Sequence, residues 1–340
     1  MKLTPRGRYA PSPTGAIHVG NARTALAAWL SARAQGGAFV WRLEDLDGPR
    51  VVPGMAEAAR RDLAWLGLDW DEGPDAETGV DRGPHAPYHQ SARGAHYEAA
   101  LERLARAGRL FPCRRSRRDL AGLASAPHGP DHGPDGAPPY PRAWRPGALP
   151  EGWLGAATDC ALRFRVDDGL VCFDDRVRGR VCEDTAADVG DFVLKRRDGL
   201  YAYQLAVVAD DLAMGITEVV RGADLLGSTA RQIGLIEALG GTPPAYAHVG
   251  LVVNERGEKL SKRDGALALG ALRDRGARPE AVAGWLGWTL GLLPDPAPCP
   301  AADLVARFRW SLVPPGPVVA DGALADRLVG NAGWGTRNAE

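Results

Sequence analysis

Residues 8–47 restrict the fold of this chain more than any other stretch. Arg8-Tyr9-Ala10 reads as a short strand, and Pro11-Ser12-Pro13-Thr14-Gly15 as a rigid turn, because two prolines fix φ and the glycine relaxes it. A helix over residues 18–34 follows, with Ala22, Leu26, Trp29 and Leu30 at helical spacing. Gly36-Gly37 ends it, and residues 38–43 read as a buried strand that delivers Glu44, Asp45 and Asp47 at its carboxyl end. Strand, helix and strand in that order imply a right-handed parallel crossover. Sheets of this kind bind ligands at the carboxyl ends of their strands.

The rest of the chain fits an α/β fold with an insertion. Residues 54–67 and 91–108 read as helices, and residues 125–152 as a surface excursion rich in Pro, Gly and His. Short strand-like runs at 161–166, 171–173 and 180–182 indicate a mixed insertion. The α/β rhythm returns at 201–208 and 218–221, in a helix at 228–239 and a strand at 247–253. After Lys262 the chain reads as mostly helical, clearest at 279–292, and its last 25 residues, rich in Gly, Ala and Pro, are expected to fray. The division expected is 1–100, the first half of a nucleotide-binding domain; 101–192, an inserted subdomain; 193–265, the second half; and 266–340, a helical C-terminal region with a flexible tail.

Hydrophobic residues make up 45% of the 340 residues and charged residues 24%, enough for a buried core. The net charge of −1 gives no global basic field, so a polyanionic partner must be met by a local patch. No run of about 18 apolar residues and no signal-peptide pattern appear, so a soluble cytoplasmic protein that spans no membrane is expected. The five cysteines form no CxxC pair, and their odd number and scatter point away from a disulfide framework.

Only four of the 41 basic residues are lysine, yet two of them, Lys259 and Lys262, fall within Lys259-Leu260-Ser261-Lys262-Arg263. A site that needs a compact, flexible ammonium accounts for this better than a solvated basic loop. The loop follows the turn Asn254-Glu255-Arg256-Gly257, so its cations can swing onto a triphosphate. The turn before the first helix is its natural counterpart. The amides that open a helix carry partial positive charge, His18 can donate to a phosphate oxygen, and Gly20 lets a flat adenine approach the backbone; the alternative is an ordinary proline-rich turn with a capping histidine. There is no GxxxxGK[ST] or GxGxxG motif to do this work instead.

The string from Arg8 through Ile17-His18-Val19-Gly20-Asn21 and the lysine loop resemble the paired HIGH and KMSKS signatures of class I aminoacyl-tRNA synthetases, in their glutamate form. The resemblance spans residues 8–265 and is closest to the shortened glutamyl-Q tRNA(Asp) synthetase family. It is supported by the stretches 190–194, 203–211 and 219–226. It implies a Rossmann-like (HUP-type) parallel-sheet catalytic domain with an inserted α+β acceptor-binding-like subdomain and a short helical C-terminal region. It also implies two substrates, ATP with Mg²⁺ and L-glutamate. The catalytic positions carried over are His18, Gly20, Asn21, Lys259 and Lys262, with His18, Gly20 and Lys262 at ATP. The glutamate pocket would comprise Arg8, Tyr9, Ala10, Pro11, Ser12, Glu44, Tyr203 and Arg221. There Arg8 pairs with a substrate carboxylate, Glu44 holds the α-ammonium, Tyr203 hydrogen-bonds and Arg221 acts by its charge.

The same resemblance implies that glutamate, activated as glutamyl-adenylate, passes to queuosine in the anticodon of tRNA(Asp). Fewer than eighty residues follow the lysine loop, which fits a dedicated anticodon-reading module poorly. The alternatives are a truncated glutamyl- or glutaminyl-tRNA synthetase that charges the 3′ end, and a non-catalytic paralogue that binds tRNA or a nucleotide. The family often carries a zinc site of Cys-x-Cys, a tyrosine and a further cysteine. Here Cys113-Arg114-Arg115 and Tyr140-Pro141-Arg142-Ala143-Trp144 retain two ligands, so the zinc site is expected to be lost, with His128 and His132 as candidates for a rebuilt one. Arg103, Arg106, Arg109, Arg114, Arg115, Arg117 and Arg118 form the strongest basic cluster, a candidate contact for tRNA phosphates. A monomer is expected.

Overall fold

The computed structural model describes residues 4–116, 118–119, 139–260 and 262–330. The N-terminal unit is the expected one. Strand β1 (Arg6–Tyr9), helix α1 (Val19–Ala34) and strand β2 (Ala38–Trp41) form a parallel crossover, with Arg8 opposite Val40 and Tyr9 opposite Trp41. Helix α1 has no single apolar face, because it is covered on several sides. Ala22, Ala25, Leu26, Ala28 and Leu30 are all buried, in one core with Leu286, Leu290, Leu304 and Leu324 from the C-terminal region. Its alanines allow this close approach. Arg23, fully buried on the same helix, is satisfied by the carbonyls of Gly250 and Thr289 and by the Thr289 hydroxyl.

Helix α2 (Met55–Trp65) and the short antiparallel pair β3 (Gly73–Pro74) and β4 (Asp81–Arg82) lead to α3 (Gly94–Arg106). The insertion contributes β5 (Leu110–Cys113), β6 (Ala161–Phe164), the hairpin β7 (Leu170–Asp175) and β8 (Gly179–Asp184), and β9 (Phe192–Lys195). Strands β5, β6 and β9 form an antiparallel sheet. Its apolar face packs on α3 and on α4 (Tyr203–Ala213), whose first turns are the apolar run at 201–208. The parallel layer resumes with β10 (Glu218–Gly222), α5 (Thr229–Ala238) and β11 (Ala245–Val249). A hydrogen bond of 3.0 Å from the Thr217 amide to the Arg6 carbonyl ties β1 to the start of β10.

Two expectations are corrected here. Cys172 and Cys182 form a disulfide, because the hairpin register sets them directly opposite each other, although ten positions apart in sequence. The chain before Gly330 is also not a frayed tail. Strand β13 (Val318–Val319) pairs in parallel with β12 (Val252–Val253), and Leu324 and Leu328 of the last helix (Leu324–Leu328) are buried in the main core. Residues 331–340, in the rest of the expected tail, lie outside the described residues. Among the described residues no helix is long and apolar enough to cross a membrane.

Candidate active site

A cavity of about 850 Å³ opens at the carboxyl ends of β1, β2 and β10. Its lining includes Arg8, Tyr9, Ala10, Pro11, Ser12, His18, Gly20, Asn21, Glu44, Tyr203, Arg221 and Lys259. One cavity therefore gathers all the predicted site residues except Lys262, whose side chain lies outside the described residues, as does Ser261. The proline turn is locked to the end of β2 by the Glu44 amide, which donates to the Pro11 carbonyl at 3.0 Å.

The helix start differs from the expectation. His18 is the N-cap of α1, and its Nδ1 accepts from the amides of Gly20 (3.1 Å) and Asn21 (3.3 Å), while the Asn21 side chain accepts from the His18 amide (3.4 Å). Two of the amides expected to await a phosphate are thus already capped. With Nδ1 accepting, the neutral ring carries its proton on Nε2, the nitrogen that can donate. Gly20 has a second reason to be glycine: a Cβ there would stand 2.9 Å from His18 Cε1, and the ring could not fold back over the helix.

Two walls of the cavity differ in charge. On the first, Arg8 and Glu44 line the cavity while Arg42, Arg93, Asp210 and Asp211 lie buried behind them, and each arginine meets carboxylates. Arg42 Nη1 donates to Asp211 at 2.7 Å and Arg42 Nη2 lies 3.4 Å from Glu44; Arg8 Nε lies 3.5 Å from Asp211, and Arg93 Nε donates to Asp210 at 2.5 Å. Asp210 also accepts from Gln90 (2.8 Å) and Tyr97 (3.0 Å). Burial raises the Glu44 pKa, and the nearby guanidinium groups of Arg42 and Arg8 oppose that rise.

On the second wall Arg221, 4% exposed, meets only neutral acceptors: His248 Nε2 (2.9 Å), Gln232 Oε1 (2.6 Å) and Thr229 Oγ1 (2.9 Å). Among the described residues no carboxylate lies within ion-pair distance of it. Three of its five N–H donors are used in these bonds, which leaves one on each terminal nitrogen. A buried, uncompensated guanidinium at a cavity wall is prepared for an anion. Tyr203 stands at the start of α4, near Arg221, Glu44 and Arg8, and burial raises its hydroxyl pKa.

Lys259 sits at the rim, half exposed and ion-paired with Asp224, which also lines the cavity. It follows a turn closed by Asn254 Oδ1, which accepts from the Arg256 and Glu258 amides, both at 3.0 Å. The chain after the loop is tied to the first signature by the Leu269 amide, which donates to the Ile17 carbonyl at 2.8 Å.

At the zinc position, Cys113 Sγ lies 3.4 Å from the Tyr140 hydroxyl, which donates to the Trp144 carbonyl. Phe111, Cys113 and Tyr140 form a small apolar cluster with Trp144 and Leu149, capped by Arg163 over Tyr140 and Arg115 over Trp144. These residues do not fit a zinc ion, because aromatic and guanidinium groups stand where ligands would be needed. Among the described residues no group of three or more His, Cys, Asp or Glu could hold a metal. His128, His132 and Arg117 lie outside the described residues. Of the arginine cluster, Arg109 is ion-paired with Asp167 and Arg106 lies 3.7 Å from Glu102.

The sequence reading passed over Arg42, Arg93, Asp210, Asp211, Asp224, Asp175 and His248. The available signals were Arg42 two residues before Glu44 just past the end of β2, and two adjacent acids in the apolar segment 203–213.

Comparisons with known proteins show the family of the chain. The family of class I tRNA synthetases (E and Q), catalytic domain, matches residues 5–291. A glutamyl-Q tRNA(Asp) synthetase of Symbiobacterium thermophilum is 47% identical over 92% of this chain and 94% of its own. One of Nitratidesulfovibrio vulgaris is 44% identical over 95% of this chain and 98% of its own. The crystal structure of glutamate-tRNA synthetase from Elizabethkingia anophelis superposes with a TM-score of 0.80 at 29% identity, covering 96% of this chain and 70% of that one. Class I synthetases bind ATP. The chain belongs to the class I tRNA synthetases of the glutamate and glutamine group, within the glutamyl-Q tRNA(Asp) synthetase family.

Proposed function

We propose that this protein activates L-glutamate with ATP and transfers it to the queuosine nucleoside of tRNA(Asp). The observation that carries the reading is the pairing, in one cavity, of an uncompensated Arg221 with an acidic Glu44. Together they suit a ligand that is both carboxylate and ammonium. Glu44 holds the α-ammonium, Arg8 and Arg221 take substrate carboxylate charge, and Tyr203 hydrogen-bonds. Tyr9, Ala10, Pro11 and Ser12 shape the pocket floor.

An oxygen of the α-carboxylate attacks the α-phosphorus of ATP. The bond to the bridging oxygen of pyrophosphate breaks, and glutamyl-adenylate forms. A nucleophile of the queuosine nucleoside then attacks the acyl carbon and releases AMP. Positioning and charge carry this chemistry, with no covalent intermediate on the protein. His18, Gly20 and Asn21 place the nucleotide, with the His18 Nε2 proton directed to phosphate. Lys259 exchanges Asp224 for pyrophosphate oxygens, and Lys262 contacts ATP. The ATP phosphates would carry Mg²⁺, which would offset part of their charge. The exposed arginines of residues 103–118 meet RNA phosphates. A cytoplasmic monomer, divided near residues 100, 192 and 265, completes the reading.

The test is charging with labelled glutamate. The proposal expects glutamate-dependent pyrophosphate exchange without RNA, and label on tRNA(Asp) only when queuosine is present. Equal charging of unmodified tRNA(Glu) at its 3′ end would overturn it.

A further inference from the structure

We infer that His248 and Asp175 are positioning residues that aim Arg221 into the cavity and keep its charge uncompensated, so that the substrate carboxylate becomes its counter-ion. The inference rests on the glutamate-activating reading above.

His248 is fully buried on β11 and bonded at both ring nitrogens. Arg221 Nε always carries a proton, and it donates to His248 Nε2 at 2.9 Å, so Nε2 must present a lone pair. The ring proton is therefore on Nδ1, which stands 2.6 Å from Asp175 Oδ2. The other oxygen of Asp175 accepts from the amides of Val177 (3.0 Å), Arg178 (2.9 Å) and His248 (3.2 Å). The carboxylate is thus fixed by the β7–β8 turn and by β11 together, and it fixes the imidazole in turn. Burial lowers the His248 pKa, which favours the same neutral ring.

The order of the groups decides the electrostatics. A carboxylate in direct contact with Arg221 would hold it in place but neutralise it, as Asp211 does for Arg42. Here a neutral ring stands between them. It passes on the orientation set by Asp175 while keeping that negative charge one residue away from the guanidinium. Gln232 and Thr229, the other two acceptors, are also uncharged.

Two polar substitutions separate the alternatives. In His248→Gln, the side-chain oxygen can stand where Nε2 stands and accept from Arg221. In His248→Asn, the shorter amide reaches only the Nδ1 position, so the Asp175 contact is kept and the Arg221 contact is lost. Glutamate-dependent pyrophosphate exchange is measured for the wild type and both variants, with separate KM values for glutamate and ATP. The expected result is a KM for glutamate raised about ten-fold or more in His248→Asn, the effect of losing one hydrogen bond to a charged group. The KM for ATP is unchanged, and His248→Gln lies within about three-fold of the wild type. Equal KM values for glutamate in the two variants, or a parallel rise for ATP, would overturn the inference. A wild type that shows no glutamate-dependent exchange would instead overturn the functional reading on which it rests.

Discussion

The two walls of the cavity use the same residue, buried arginine, to opposite ends. Around α4, Arg42, Arg93 and Arg8 sit among Asp210, Asp211 and Glu44, and the charges largely cancel inside the protein. Across the cavity Arg221 is held just as firmly, by three hydrogen bonds, but by neutral partners. The first arrangement stabilises the fold and shapes the pocket. The second leaves a charge that no carboxylate among the described residues pairs with. Arg23 shows that burial without a carboxylate is not enough to mark a site: its donors face backbone carbonyls and a threonine hydroxyl inside the core, and it does not line the cavity.

This contrast has consequences that differ in size. The largest is for folding. Asp210→Ala leaves Arg93 with no carboxylate contact and weakens the surroundings of Arg42, and is expected to cost about 3–5 kcal/mol in urea unfolding. Arg221→Met should do the reverse of this. Its stability cost is expected to stay near 1 kcal/mol, because Thr229 Oγ1 already lies 3.3 Å from His248 Nε2 and can donate to it. Its kcat/KM for glutamate activation should nevertheless fall by about 100-fold or more. Comparable stability losses in the two variants would erase the distinction between the walls.

A smaller effect concerns pH. Burial raises the Glu44 pKa, so the carboxylate proposed to hold the α-ammonium is lost at a higher pH than an ordinary glutamate would be. The KM for glutamate is expected to rise as pH falls through that value, approaching about ten-fold per pH unit. In Glu44→Gln this inflection should be absent. His248, with a pKa lowered by burial, should titrate only below the range of a free histidine. The smallest effect is a null result. Because an aromatic cluster occupies the place of the zinc ligands, EDTA should leave the thermal midpoint of the ligand-free protein unchanged.

The cavity was legible in the sequence where local pattern carries the chemistry. The proline turn, His18, Gly20 and the crowding of scarce lysines are all short-range signals, and the structure brings their described members together. Glu44 and Arg221 could be placed because the carboxyl ends of parallel strands converge. What local pattern could not show were pairings between distant segments. Asp175 and His248 are 73 positions apart, and only the single bridge between β7 and β11 brings their strands together. The Cys172–Cys182 disulfide was hidden because cysteine spacing alone does not reveal a hairpin register. The capping role of His18 was legible as well, as the plain alternative for a histidine that follows a proline-rich turn at a helix start, and its Nδ1 lone pair fills that role. The burial of α1 on several sides was missed because its second cover comes from residues 282–328.

The central claim is that Arg221 is kept in place without a counter-ion until substrate arrives. It is tested most directly by a crystal structure with a non-hydrolysable glutamyl-adenylate analogue and free glutamate in separate soaks. A glutamate carboxylate oxygen is expected within about 3 Å of a terminal nitrogen of Arg221, with the bond to His248 intact. Glutamate bound elsewhere in the cavity, with Arg221 still surrounded only by His248, Gln232 and Thr229, would contradict it.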